Sequence, residues 1–151
     1  MAETLGSLCD KLTILELKRW HAEQPAKLAS LAQQITALSA ELDEYLAAAL
    51  AGTIPVARLT FAANKVFKAE GNTPRAIAGS IGQVLAELAQ VNCALWHEQE
   101  KVYEFERVPP ADKDRVVKRL AVLNLERNHC IDAIDRTFQG IVQGSLAGSP
   151  R

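Results

Sequence analysis

Arg127 is the residue of this chain whose type and position most demand chemistry. It falls within the run Val116, Leu120, Leu123, Arg127, Cys130, Ile134, Phe138 and Ile141, whose steps of three and four put one side of a helix against a core. A guanidinium at the centre of such a stripe must be met by an acid or an anion, because stripping a buried charge of its partner costs roughly 3–5 kcal/mol. Asn124 lies one turn earlier on the same side. In the preceding segment Asn92 and Gln99 sit one heptad apart inside an apolar stripe, with Glu106 a further heptad on. Asp10 projects with Ile14, Leu17 and His21 near the N-terminus. If these sides converge, they form a polar layer of acid, amide and guanidinium. Such a layer either fixes the register of the helices or, with Lys11 or Lys18 beside it, binds a phosphate or carboxylate through the planar fork of the arginine. Trp96 flanks the Asn92 and Gln99 side and reads first as an anchor at the core edge. The expected ligand-binding set is therefore Asp10, Lys11, Lys18, Asn92, Trp96, Gln99, Asn124 and Arg127.

Other chemistries are less well supported. Glu126 and His129 reproduce the Glu-x-x-His spacing of di-iron bundles. With Arg127 central, however, His129 points roughly 160° away, towards solvent, and no second copy of the motif exists in the chain. Glu41 and Glu44 have the spacing of a magnesium-binding pair, but no Glu-x-x-Asp follows on a neighbouring helix, so a solvated face is expected. His97 and Glu100 read as an exposed ionic pair, and His21 as a helix C-terminal imidazole. Asp10 taken alone needs no role beyond an N-terminal cap after Ser7. No nucleophile elbow or phosphate-cradling glycine loop is present. The sequence therefore assigns no catalytic residue, no metal ligand and no cofactor.

The elements that must position these residues are helical. No stretch alternates apolar and polar residues long enough to make a strand. The spacing predicts about five helices in an elongated up-and-down bundle: from Ser7 to His21, Pro25 to Gly52, Pro55 to Glu70, Thr73 to Arg107, and Pro110 to Gln143. Leu28, Leu31, Ile35, Leu38, Leu42, Tyr45 and Ala49 form the seam of the second. Ile77, Ile81, Val84, Leu88, Val91, Leu95, Glu98, Val102 and Phe105 form that of the fourth, with Gly79 and Gly82 as its expected bend. The first helix carries Leu5, Leu8, Leu12 and Leu15 on one side and Ile14, Leu17 and Trp20 on the other. A helix apolar on two faces is central to the bundle or part of a subunit interface, so a homodimer is expected. Residues 1–143 form one domain and 144–151 a disordered tail on this reading.

Composition bounds the partners. The chain has 151 residues, a formal net charge of -1, and Lys+Arg 17 against Asp+Glu 18, which lacks the positive excess that phosphate backbones require. Nucleic acid is not an expected partner. The apolar run Leu46 to Gly52 is far shorter than the roughly 20 residues a bilayer demands, and the N-terminus lacks a signal-peptide pattern, so membrane insertion is not expected and a cytoplasmic location is. Cys9, Cys93 and Cys130 read as reduced core thiols.

Three segments, LCDKLTILELK (Leu8 to Lys18), LWHEQEKVYEFE (Leu95 to Glu106) and LNLERNHCIDAID (Leu123 to Asp135), make the chain resemble an uncharacterised bacterial family of small helical proteins, catalogued as a domain of unknown function. That family carries a Leu-x-Asp-Lys-Leu-Ser/Thr-Ile-Leu start, a central Leu-Trp-x-x-Glu and a late Asn-x-x-Arg followed by Ile-Asp. The matching positions are Asp10, Lys11, Lys18, Trp96, Asn124, Arg127 and Asp135, while Gln99 stands where the family tends to have an acid. The resemblance implies no activity, but a setting beside envelope polysaccharide and glycosyltransferase genes. The expected function is a non-enzymatic interaction or accessory module with a possible protein partner, linked to envelope glycan assembly. The alternative is a binder of, or enzyme on, a phosphorylated or sugar-nucleotide ligand at Arg127.

Overall fold

A computed structural model describes residues 2–61 and 74–148. Every regular element among them is helical: α1 (Leu5–His21), α2 (Pro25–Leu50), α3 (Ile81–Tyr103) and α4 (Pro110–Ala147), with short 3₁₀ turns at Val56–Arg58 and Phe105–Arg107. The all-α bundle is as expected, with four α-helices among the described residues where the sequence predicts about five.

The boundaries that moved did so for local reasons. Thr4, not Ser7, caps α1: its hydroxyl accepts the Ser7 N–H at 3.2 Å, and the Ser7 hydroxyl accepts the Thr4 N–H at 2.8 Å. This capping box releases Asp10 from terminal duty and leaves it buried. The expected third helix survives in its described part only as the Val56–Arg58 turn, and residues 62–70 of that prediction lie outside the described residues. The Gln139 amide donates to the Val56 carbonyl at 3.0 Å and pins the turn to α4. The next helix begins at Ile81 rather than beside Pro74, because Gly79 has φ +134, which a helix cannot contain and few other residues adopt. Ser80 and Gln83 then close a second capping box, so Gly79 ends a loop instead of bending a helix. Thr73, the expected cap, lies outside the described residues. At the other end α4 continues through Gly144 to Ala147, so residues 144–147 are helix where a tail was expected.

The helices run up, down, up, down. The loop 22–24 joins α1 to an antiparallel α2, while paired residues Asp10 with Arg127 and Gly6 with Asp135 set α4 antiparallel to α1. Asn92 meets Thr13, and Trp96 meets His21, further along in both chains, so α3 runs parallel to α1. With 38 residues, α4 is about 57 Å long at 1.5 Å per residue.

The core is built where the stripes predicted. Val84, Leu88 and Val91 of α3 pack with Leu123, Cys130, Ala133, Ile134, Phe138 and Val142 of α4, and Leu5, Ala49 and Leu59 complete the cluster. Each fully buried leucine contributes about 1.5–3 kcal/mol relative to exposure. Ile141, expected on the α4 stripe, is 48% exposed, and Val142 beside it is buried instead. Ile14 and Leu17, the second apolar face of α1, are half-buried against Leu95 and Trp96 of α3 within one chain. That accounts for the two-faced helix without a second copy as far as Leu17. Trp20 alone remains 85% exposed.

Candidate functional site

The polar layer forms at the centre of the bundle. Arg127 donates from Nε to Asp10 Oδ1 at 2.8 Å and from Nη2 to Asp10 Oδ2 at 2.5 Å. Asn92 donates from Nδ2 to Asp10 Oδ1 at 2.9 Å and to the Thr13 hydroxyl at 2.8 Å. The Thr13 hydroxyl in turn donates to the Asp10 carbonyl at 2.8 Å. One carboxylate thus ties α1 to both α3 and α4. Hydrogen bonding to Asp10 pushes the Arg127 pKa above its ordinary value, with burial acting in the opposite direction.

The pair is closed on one side and open on the other. Asp10 keeps only 6% of its side-chain surface exposed, whereas Arg127 keeps 31%. Asp10 occupies the Nε–Nη2 edge of the guanidinium, and the Nη1 amino group lies outside that pairing. Where Arg127 reaches the surface it shares a cleft of about 180 Å³ with Ile14, Leu17, Asn92, Leu95, Trp96, Gln99 and Asn124. Asn124 donates from its amide nitrogen to the Leu120 carbonyl at 3.0 Å.

The expected set therefore divides. Asp10, Asn92 and Arg127 bond directly, and Trp96, Gln99 and Asn124 line the cleft beside them. The lysines do not join that cleft. Lys11 pairs closely with Glu3 on the surface and lines a groove between α1 and α2 with Ile14, Leu38 and Glu41. Lys18 lines a second, larger cleft of about 370 Å³ with His21, Lys27, Ser30, Leu31 and Trp96. Glu106 is exposed in the Phe105–Arg107 turn, outside the polar layer, because α3 stops at Tyr103.

Trp96 joins the two clefts. Its indole stacks on the His21 ring with centroids 4.6 Å apart at 19°, and its Nε1 donates to Glu100 at 3.0 Å. His21 is itself oriented by its Nδ1, 2.8 Å from the Leu17 carbonyl. Glu41 and Glu44 are exposed as expected, and His97 and Glu100 form an exposed contact at 3.6 Å.

Two buried acids escaped the sequence reading of their chemistry. Glu126, noted in the sequence only for its Glu-x-x-His spacing with His129, is 1% exposed. Its Oε1 accepts the Arg75 backbone N–H at 3.2 Å and lies 3.5 Å from the Arg75 Nε, while Arg75 also pairs closely with Glu87. The segment after Pro74 covers this side of α4, which therefore has two buried sides instead of one. Asp135 entered only through the family resemblance. Its Oδ1 accepts the Gly6 N–H at 2.7 Å, and burial pushes its pKa up to about 6 against the opposing bonds from Gly6 and Thr4. A glycine two residues after a threonine cap was the available signal for that close approach.

The cysteines also divide. Burial pushes the Cys9 and Cys130 thiols up to about 11. Cys93 is exposed rather than a core thiol, because it falls one residue past Asn92 on the outer side of α3. His129 is half-buried rather than solvent-directed. Among the described residues no group of three or more His, Cys, Asp or Glu side chains lies placed to hold a metal.

Fold and site define a class: an all-α bundle of antiparallel helices with an arginine-centred polar layer opening on a cleft. No helix among the described residues is long and apolar enough to cross a membrane. In comparisons with known proteins, no family model matches the chain, and no curated protein or solved structure is similar to it.

Proposed function

We propose that the protein is a non-enzymatic accessory module that binds a small anionic ligand at the Arg127 cleft. The observation that carries this reading is the division of the guanidinium: one edge is committed to Asp10, and the side chain still opens into a cleft walled by three amides. Nη1 with the Gln99 amide offers donors suited to a phosphate or carboxylate group. Asp10 offsets much of the arginine charge, so hydrogen bonding more than Coulomb attraction holds the anion, and affinity at this seat alone is modest.

Binding is favoured over catalysis by the lining itself. Apart from Arg127 the cleft carries only amide, aliphatic and indole side chains, and none of these serves as a general acid, general base or nucleophile near neutral pH. The setting beside envelope glycan assembly rests on the family resemblance and belongs to the same proposal.

A thermal-shift titration with inorganic phosphate, a hexose phosphate and a nucleotide sugar tests it. A ligand at 100 times its Kd adds about 2.7 kcal/mol, which raises Tm by about 5–10 °C in a domain of this size. A shift that persists in the Lys11→Gln variant and disappears in Asp10→Asn/Arg127→Gln supports the reading. Equal shifts in the parent and that double variant, or none with any anion, overturn it.

A further inference from the structure

We infer that the ligand carries two separated anionic groups, one seated at Arg127 and the other between Lys18 and Lys27, with the body of the molecule passing the edge of Trp96. This inference rests on the binding reading above and names the class of its ligand: a bis-anionic small molecule such as a bisphosphorylated sugar.

Three observations carry it. First, the cleft between α1 and α2 is lined by Lys18, Lys27 and His21 and by no acidic side chain. Its cations are therefore not offset within the lining, whereas the charge of Arg127 is offset by Asp10. This cleft can thus seat a second anionic group that the polar layer does not hold. Second, Trp96 lines both this cleft and the Arg127 cleft, so the two seats are adjacent across one side chain. Third, that side chain is held in place. Its stack on His21 occupies one face, and its bond to Glu100 orients the indole N–H. A fixed indole presents an apolar edge against which a sugar or other compact ring can lie.

The volumes agree with a small ligand. The Arg127 cleft, about 180 Å³, admits a single anionic group, and the larger one, about 370 Å³, falls within the roughly 300–1,000 Å³ typical of ligand pockets. Ser30 and Gln34 add hydroxyl and amide groups to the larger cleft and can hydrogen-bond the polar body of the ligand. Two weak seats joined by one molecule act at a high effective concentration, so the second anionic group should add more than its own affinity.

The test uses Trp96 as its own reporter. In the full chain carrying Trp20→Phe, Trp96 is the remaining tryptophan, and its emission is followed during titration with fructose 1,6-bisphosphate, fructose 6-phosphate and inorganic phosphate. The bisphosphate should bind at least tenfold more tightly than the monophosphate. Lys18→Gln/Lys27→Gln, at exposed positions, should bring the bisphosphate down to the monophosphate value and leave the monophosphate within twofold. Equal affinities for the two sugars, or a bisphosphate advantage that survives the double lysine variant, overturn the two-seat inference while Arg127-dependent monophosphate binding keeps the binding reading. No change in Trp96 emission with any of the three probes overturns both.

Discussion

Asp10 and Arg127, 117 residues apart in sequence, meet through two parallel hydrogen bonds of 2.8 and 2.5 Å that cross from the first helix of the bundle to the last. The same carboxylate takes the Asn92 amide, so one residue sets the relative height of three helices. This gives the pair a structural role even where its outer edge serves a ligand.

Separating the partners should cost more than removing both. Arg127→Leu leaves the Asp10 carboxylate buried with Asn92 as its remaining donor and is expected to lose about 3 kcal/mol, the low end for a buried pair because Arg127 is part exposed. Asp10→Leu/Arg127→Leu should recover at least about 1 kcal/mol of that loss. Urea denaturation of the two single variants and the double variant measures the coupling, and additive losses would contradict it.

Asp135 makes stability depend on pH. Its pKa is about 6 in the folded chain against a model-compound value of 3.8, raised by burial. A raised carboxylate pKa contributes stability that is complete below about pH 4 and is lost as pH rises through 6. The loss at pH 7 is at most about 3 kcal/mol at 1.36 kcal/mol per unit. Asp135→Asn keeps an acceptor for the Gly6 N–H and should flatten the urea midpoint between pH 4 and 7. An unchanged slope in that window would remove Asp135 as its source.

Two glycines should respond oppositely to the same change. A Cβ at Gly6 would stand 2.4 Å from the Ile131 carbonyl oxygen and 2.9 Å from Asp135 Oδ1. Because the first obstacle is backbone, α1 and α4 must move apart, and Gly6→Ala should cost about 2–3 kcal/mol. At Gly140, within α4, nothing lies within 4 Å of the added carbon, so Gly140→Ala should gain about 0.5–1 kcal/mol from helix propensity. Thermal melts of the two variants decide the matter.

Thiol labelling should find one fast cysteine among the three. Cys93 is exposed, whereas Cys9 and Cys130, with pKa values of about 11, hold about one thiolate in a thousand at pH 8. Native protein treated with an aromatic disulfide reagent should release one equivalent rapidly and the rest only on denaturation. Cys93→Ser should abolish the rapid phase.

Much of the site was legible in the sequence because helical spacing turns position into direction. Arg127 and Asn92 interrupt apolar stripes, and the rule that a buried charge needs a partner pointed across the bundle to Asp10. Periodicity on one helix cannot, however, say how many neighbours that helix has. Glu126 could not be placed for this reason: α4 is covered on a second side by the segment carrying Arg75, so a residue outside the main apolar stripe is buried nonetheless. The same limit hid the exposure of Cys93. The end of a helix is decided by competing caps, and Thr4 prevailed over Ser7 through side-chain bonds to backbone N–H groups, whose geometry depends on where the chain goes next.

Local chemistry alone thus determined the helical class, the core stripes and the few polar residues set against them, because propensity and amphipathic period act over a turn or two of chain. Tertiary structure alone decided that Asp10 reaches Arg127, that Lys18 stands in one cleft while Arg127 opens on another, and that Trp96 divides them. Those relations depend on how helices far apart in sequence are docked, and packing sets docking through the shapes of whole faces rather than the identity of any one residue.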